Sequence, residues 1–336
     1  MAMFKRCLGA FALAGILGAA AAPAQADDYP RRDITAIVPW GAGGATDVAM
    51  RALAPLAEDE LGKKLVIQNR TGGSGAVGAN FVLRQQPDGY TVLMAAEPQA
   101  LFRVLNLAPF DFQEFTPINI VSINDSILLV ANPKVPANTT QELFDYVKAN
   151  PKKLKQYIAG QGTVPFTINA MINDVTPFET TLVPFDGDGP AIAALQGGHA
   201  DIGFIASGAV LEHVKAGRLK ALGVLRTEPF GDIPPMTEAP ALAGLERHLP
   251  WGPFYGVFVR KETPDAVKAK LSDAFAKAAA SPDYLKFNED RGTRVLNLSG
   301  AEAQDFLDKW QSTTAWLYDS VGAAKTSPEA LGIPKP

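Results

Sequence analysis

A glycine-rich loop near the start of the chain carries the strongest chemical signal in the sequence. The apolar run Ile34–Val38 leads into residues 39–45, which include three glycines, and an amphipathic segment begins at Thr46 or Asp47. Glycine allows close approach to the backbone, and the first N–H groups of a helix lack intrahelical acceptors at the positive end of its dipole. A strand, a glycine turn and a helix start in this order are typical of a site for a carboxylate or a phosphate.

The chain offers little for nucleotide binding. Residues 73–78 fit the G-x-G-x-x-G pattern between a strand and a helix, but a single match is weak and its only nearby acid is Glu97. No P-loop lysine follows any glycine cluster. We therefore interpret residues 73–78 as a turn that holds the chain close to a ligand cleft.

Residue patterns for catalysis are equally scarce. Ser74 fails the G-x-S-x-G elbow at its last position, and the 3 histidines are not at metal-ligand spacing. Asp186 and Asp188 form a carboxylate pair in a glycine-rich loop, which we interpret as turn and helix-cap residues. We predict no catalytic residue, no metal and no cofactor, with an exported enzyme of hydrolase type as the alternative.

The first 26 residues have the form of a secretory signal. Basic residues precede an apolar stretch at 8–22, and residues 24–26 provide a small-x-small cleavage site. The stretch is too short and too rich in alanine and glycine for a membrane anchor. We predict a periplasmic protein that is cleaved after Ala26 and then contains no cysteine, because Cys7 is the only one.

Charge argues against two classes of partner. The 336 residues include 31 basic and 35 acidic side chains, a formal net charge of −4, with no long run of either sign. Nucleic acids and anionic membrane surfaces both select basic patches. We therefore expect neither as a partner.

Strands and helices alternate twice along the chain, which predicts parallel sheets with helices on their faces. In the first run the predicted strands are 34–38, 65–68 and 91–95 and the helices are 46–61 and 76–86, the former with Pro55 expected to bend or shorten it. In the second run the predicted strands are 157–159, 181–183, 202–206 and 219–225, with helices near 166–173, 190–196 and 210–215.

Two single extended segments, 118–130 and 251–259, join these runs and are interpreted as hinge strands. The prediction is an α/β fold of two lobes, each a mostly parallel sheet flanked by helices. The first lobe comprises residues 27–123 and 252–336, and the second comprises residues 124–251. Ligands of such sheets bind beyond the carboxyl ends of the strands, where these loops would face one another.

Several motifs in this order and spacing resemble the periplasmic solute-binding components of tripartite tricarboxylate transporters, the TctC or Bug family of Bordetella-type uptake proteins. The resemblance spans nearly the whole chain after the signal segment. The matching segments are 29–34, 38–47, 61–62, 69–75, 87–91, 183–191, 197–201, 217–222 and 234–238.

The resemblance implies a type II periplasmic binding fold that closes over a small carboxylated solute. It implies that the loop at 40–47 receives the carboxylate through backbone N–H groups and ordered water, and that loops of the second lobe complete the enclosure. Glu97 is added because it ends a strand beside the cleft. The expected ligand-binding residues are Trp40, Ala42, Gly43, Gly44, Thr46, Asp47, Glu97, Gln161, Gly162, Thr163, Phe185, Asp186 and Ser207.

Departures from the family pattern bear on the solute. Trp40 stands where phenylalanine is common, and we interpret it as a cleft wall rather than a stacking platform. Asp186 stands near a common lysine, Glu97 adds an acid, and the histidine usual after the second-lobe Gly-Ser-Gly is missing. Since like charges repel a desolvated dianion or trianion, we expect a monocarboxylate with an amine or neutral polar group facing Glu97 or Asp186, and not citrate.

The resemblance also implies a partner. Such a protein delivers its solute to the integral membrane permease subunits of a tripartite tricarboxylate transporter, and we expect it to be a monomer. A ligand-sensing protein that feeds a signalling receptor is the other alternative.

Overall fold

The computed structural model describes residues 28–336. The predicted signal segment and its cleavage site lie outside the described residues. Within 28–336, no helix combines the length and the apolar character needed to cross a membrane.

Eleven strands and nine α-helices are found in the described part of the chain. The strands are β1 (Ile34–Val38), β2 (Leu65–Asn69), β3 (Thr91–Ala96), β4 (Phe115–Ile123), β5 (Ile127–Ala131), β6 (Lys155–Ile158), β7 (Thr181–Pro184), β8 (Ile202–Ala206), β9 (Lys220–Val224), β10 (Phe254–Arg260) and β11 (Arg294–Leu298). The helices are α1 (Ala45–Leu61), α2 (Ala76–Leu83), α3 (Thr140–Ala149), α4 (Val164–Val175), α5 (Asp188–Gly197), α6 (Ser207–Lys215), α7 (Asp265–Ala279), α8 (Pro282–Glu289) and α9 (Gly300–Ser320).

The strands form two sheets, which define the two lobes of the fold. The first sheet has the order β11-β4-β10-β3-β1-β2 and the second has the order β7-β6-β8-β5-β9. In the first sheet β1 to β4 share one direction and β10 and β11 oppose them, whereas in the second sheet only β5 opposes the others. The two-lobed α/β fold with helix-flanked sheets is confirmed, but both sheets are mixed, because three of the five strand pairings in the first sheet and two of the four in the second are antiparallel. The residue boundaries of the lobes stay a prediction.

The predicted single segment 118–130 is in fact two strands that belong to different sheets. Asn124 separates β4 from β5, and its buried side chain donates to Ser207 Oγ at 3.0 Å and to Thr293 Oγ1 at 2.9 Å. Its amide oxygen accepts the N–H of Ser126 at 2.9 Å. These bonds turn the chain out of the first sheet, so the break depends on tertiary partners that strand periodicity does not reveal.

Helix α1 continues through Pro55 to Leu61, so of the two predicted effects of this proline the shortening is wrong and the bend stays a prediction. Its apolar stripe, which includes the fully buried Met50 and Leu53, packs into the core of the first lobe. Packing of such a stripe offsets the hydrogen bond that a proline removes. The helix ends at Gly62, whose φ of 65° provides the left-handed cap.

Helix α8 and strand β11 were not predicted. Both elements are short, and β11 is an edge strand with no fully buried residue. Weak apolar periodicity in such elements leaves little signal in the sequence.

Candidate ligand-binding cleft

Four helices begin at one cleft between the two sheets. Residues at the starts of α1, α4 and α5 and the last residue before α6 line it. The cavity in the cleft measures about 40 Å³, and about 430 Å³ is free of protein atoms when the adjoining open solvent is included. The lining residues are Trp40, Gly44, Ala45, Thr46, Ala96, Glu97, Tyr157, Ala159, Thr163, Val164, Pro165, Gly187, Asp188, Ala206, Pro253 and Tyr255.

The lobes touch directly at one side of this cleft. The backbone N–H of Gly41 donates to the carbonyl oxygen of Asp186 at 2.8 Å. Gly189 packs so closely that a Cβ atom there would overlap the carbonyl oxygen of Ala42. Glycine is therefore required at position 189 for the two loops to meet.

The carboxylate of Asp47 is turned into its own loop and away from the cleft. It accepts the N–H of Gly43 at 2.9 Å, the amide of Asn69 at 2.9 Å, and Nε of Arg51 at 2.9 Å. Burial raises the pKa of Asp47, but the bonds from Arg51, Gly43 and Asn69 outweigh it, and the pKa lies below its usual value. Asp47 thus fixes the shape of the loop.

The start of α1 keeps donors free at the cleft. Within residues 28–336, the backbone N–H groups of Thr46 and Asp47 have no hydrogen-bond acceptor. Thr46 lines the cleft, and the N–H of Ala45 makes only a long contact of 3.4 Å to Asp188 Oδ2. Unsatisfied N–H groups at the positive end of a 17-residue helix suit a carboxylate.

The cleft also contains two acids, one from each lobe. Glu97 follows β3 and is 3 % exposed, and Asp188 begins α5. Tyr157 donates its hydroxyl to Asp188 Oδ1 at 2.9 Å. Among the described residues, no lysine, arginine or histidine pairs with either acid.

Burial shifts the titration of these groups. It raises the pKa of Glu97 to about 8, with a further increase from the charge of Asp188. It also raises the pKa of Asp188, although the bonds from Tyr157 and Ala45 act against it. Near neutral pH the cleft therefore holds a protonated Glu97 when nothing else neutralises it.

Five predicted site residues line this cleft, namely Trp40, Gly44, Thr46, Glu97 and Thr163. Trp40 is 9 % exposed and packs between Gly75 and Gly187, a placement that agrees with a wall. The participation of these residues in ligand binding stays a prediction.

The other predicted residues lie outside the lining. Ala42, Gly43 and Asp47 shape the first loop, while Phe185 and Asp186 border a neighbouring groove. Gln161 borders a groove at α4 and α9, and Gly162 faces Leu105 and Pro98.

Ser207 is buried at the crossing between the lobes. Its hydroxyl donates to the carbonyl oxygen of Arg291 at 2.5 Å and accepts from Asn124. Ser207 therefore holds the two lobes at their connection rather than facing the cleft.

The acid of the second lobe that faces the cleft is Asp188, not Asp186. The exposed Asp186 side chain accepts a hydrogen bond from Thr71 at 3.3 Å and does not line the cleft, whereas Asp188, at the start of α5, does. No pattern in the sequence marks Tyr157 or Tyr255 as a residue of the cleft. The position of Asp188 at a helix start was a usable signal, but the two tyrosines lie inside strands and only the tertiary structure brings them to the cleft.

Within residues 28–336, no group of three or more histidine, cysteine, aspartate or glutamate side chains is placed to bind a metal ion. The described residues that line the cleft include no serine, cysteine, lysine or histidine, and the hydroxyl among them that is paired with an acid is that of Tyr157.

Comparisons with known proteins agree with this geometry. A model of the tripartite tricarboxylate transporter family receptor matches residues 49–316. BugT of Bordetella pertussis is 31% identical over 291 residues, 81% of this chain and 88% of BugT. The periplasmic binding protein BugD superposes with a TM-score of 0.82 at 26% identity, covering 89% of this chain and 100% of BugD. MatC from Rhodopseudomonas palustris, solved with bound malate, gives 0.78 at 27% identity, covering 87% of this chain and 100% of MatC.

Proposed function

The chain belongs to the tripartite tricarboxylate transporter receptor family, and from that premise we propose that it captures a small carboxylate between its lobes and delivers it to the permease of such a transporter. It is a periplasmic solute-binding protein and not an enzyme. Export by the segment 1–26 with cleavage after Ala26 is part of the proposal. So is the division into a first lobe of residues 27–123 and 252–336 and a second of 124–251.

One observation carries the proposal. The free N–H groups at the start of α1 face a cleft that the second lobe covers. Backbone donors of this kind bind a carboxylate without a buried arginine. The malate bound to MatC supports the same class of solute.

A proline substitution tests the role of the Thr46 N–H. Thr46→Pro removes this donor from the first turn of α1, where proline is tolerated. We expect carboxylate affinity, measured by isothermal titration calorimetry, to fall by roughly tenfold to hundredfold, because a charge-assisted hydrogen bond is lost. Ala266→Pro is the matched control, since it occupies the same position in α7 and is exposed. Equal affinity in both variants would contradict a carboxylate at the start of α1.

The delivery step needs a separate test. Deletion of the gene should abolish uptake of the solute that the purified protein binds, and the wild-type gene should restore it. Unchanged uptake in the deletion strain would instead favour the ligand-sensing alternative.

A further inference from the structure

We propose that the acidic end of the cleft recognises a protonated amine, so that the solute is a small amino acid or a similar zwitterion. Its ammonium group would lie between Glu97 and Asp188 while its carboxylate faces the start of α1. This inference rests on the proposed function and adds the identity of the second functional group.

The two acids come from opposite walls of the cleft. Glu97 follows the central strand β3 of the first sheet, and Asp188 begins α5 in the second lobe. Each lobe therefore contributes one carboxyl group to the same space. A cation between them is attracted to both lobes at once and stabilises the contact between them.

The hydrogen bonds of this end are incomplete without a donor from a ligand. Asp188 accepts from Tyr157, but among the described residues no side chain donates to Glu97. The hydroxyl of Tyr255, a residue that is 3 % exposed and lines the cleft, has no partner either. Buried polar groups in native proteins are almost always paired. An ammonium group has three N–H donors, and two carboxyl groups and a phenol oxygen can accept them.

The charges around this end favour a cation over a second carboxylate. The titratable groups that face Glu97 are Asp188 from α5, Tyr157 from β6, Tyr255 from β10 and Tyr318 from α9. All of them are acids or phenols. A second carboxylate would meet the like charge of Asp188 in a desolvated site, which is strongly unfavourable, and it would oblige Glu97 to keep its proton.

A proton should leave the site when the amine binds. Glu97 holds its proton near neutral pH because its burial outweighs the hydrogen bond from its own backbone and raises its pKa to about 8. An ammonium group beside it favours the ionised carboxylate. Affinity should therefore rise with pH between about 6 and 8, since binding and proton release are linked. A protonated Glu97 that donates to a ligand carboxylate predicts the opposite slope.

The test compares acids that differ only by an amine. The probes are L-alanine with propionate, 4-aminobutyrate with butyrate, and L-aspartate with succinate, each titrated into the refolded, ligand-free protein by calorimetry. At pH 8 we expect the aminated member of at least one pair to bind at least about tenfold more tightly. Titration at pH 7 in two buffers of different ionisation enthalpy should show release of about one proton, since Glu97 is almost fully protonated there in the ligand-free protein.

Variants assign the preference to the two acids. Glu97→Gln and Asp188→Asn should each reduce the preference for the aminated probe at least about tenfold, and Glu97→Gln should abolish proton release. Glu228→Gln removes an exposed acid from a loop and should retain both properties.

Equal or tighter binding of the unaminated acids overturns the amine but leaves the carboxylate site of the proposed function standing. If none of the six probes binds, both the amine proposal and the carboxylate site of the proposed function are overturned. Proton uptake on binding, in place of release, also overturns the ion pair with Glu97.

Discussion

Two buried carboxyl groups of the first lobe follow neighbouring strands, and they differ in the hydrogen-bond donors that the protein supplies to them. Asp47, after β1, receives hydrogen bonds from Gly43, Asn69 and Arg51, and its pKa is lowered. Glu97, after β3, receives none from a side chain of the described residues, and its pKa is raised to about 8. Both side chains have little exposure to solvent, yet the pKa of Asp47 is lowered and the pKa of Glu97 is raised.

This difference in hydrogen-bond donors identifies Asp47 as an acid that stabilises the structure and Glu97 as an acid of the functional site. The donors of Asp47 are supplied by the protein, so its charge is neutralised in the unliganded state and serves to hold the loop. Glu97 receives a hydrogen bond from its own backbone but none from a side chain of the described residues, and in the proposal above the solute supplies the cation beside it. A buried acid with a raised pKa in a cleft is a common sign of a functional site.

The largest expected effect is on the pH dependence of stability. Between about pH 5 and 8 the folded protein keeps the proton on Glu97 and the unfolded chain does not, so the free energy of unfolding should fall as pH rises. The slope is at most about 1.4 kcal/mol per pH unit, about 4 kcal/mol in total. Urea denaturation of the ligand-free protein at several pH values measures it.

Glu97→Gln should remove that slope. For Asp47 the sign is reversed, because its lowered pKa makes its contribution disappear only as pH falls below about 4. A slope that persists in Glu97→Gln would assign the effect to another group and break the contrast.

The second effect is on stability at pH 7. Asp47→Ala leaves the N–H of Gly43 without its acceptor and removes one of the two acceptors of the Asn69 amide, which keeps the carbonyl oxygen of Trp40. It should lower the free energy of unfolding by about 3 kcal/mol. Glu97→Gln, which removes no protein donor, should change it little or increase it. Equal losses in the two variants, measured by urea denaturation, would remove the distinction between the acids.

The third effect is on closure. Gly189→Ala places a methyl group against the carbonyl of Ala42 and should hold the lobes apart, weakening solute binding by about a hundredfold. It should leave Asp47 undisturbed and lower the pKa of Glu97 as water enters. Small-angle scattering with and without solute checks the closure. Gly197→Ala at the other end of α5 is the control, since its nearest neighbour is the His199 ring.

The smallest effect concerns the exposed acid of the second lobe. Thr71→Val removes the 3.3 Å bond to Asp186 and should change the free energy of binding by about 0.5 kcal/mol or less, since both groups are in contact with water. A tenfold or greater loss of solute affinity, measured by calorimetry, would show that Asp186 contributes to the binding site.

Much of this molecule could be predicted from its sequence. The glycine turn and the start of α1 follow from local signals, and the alternating elements of both lobes follow from periodicity. The acidic end could be predicted only in part. Glu97 was identified because it ends a strand, but the choice between Asp186 and Asp188 depends on the direction of one helix start. The place of Tyr255 depends on strand pairing across more than a hundred residues of chain, which single-sequence patterns do not encode.

The bond between Gly41 and Asp186 joins two main chains. No side chain takes part in it, so substitutions at Glu97, Asp188 or Trp40 leave its donor and acceptor in place. The contact that holds the cleft shut is therefore independent of the side chains that face the solute. In such a scaffold, single substitutions in the cleft can change the solute that is bound and leave closure intact.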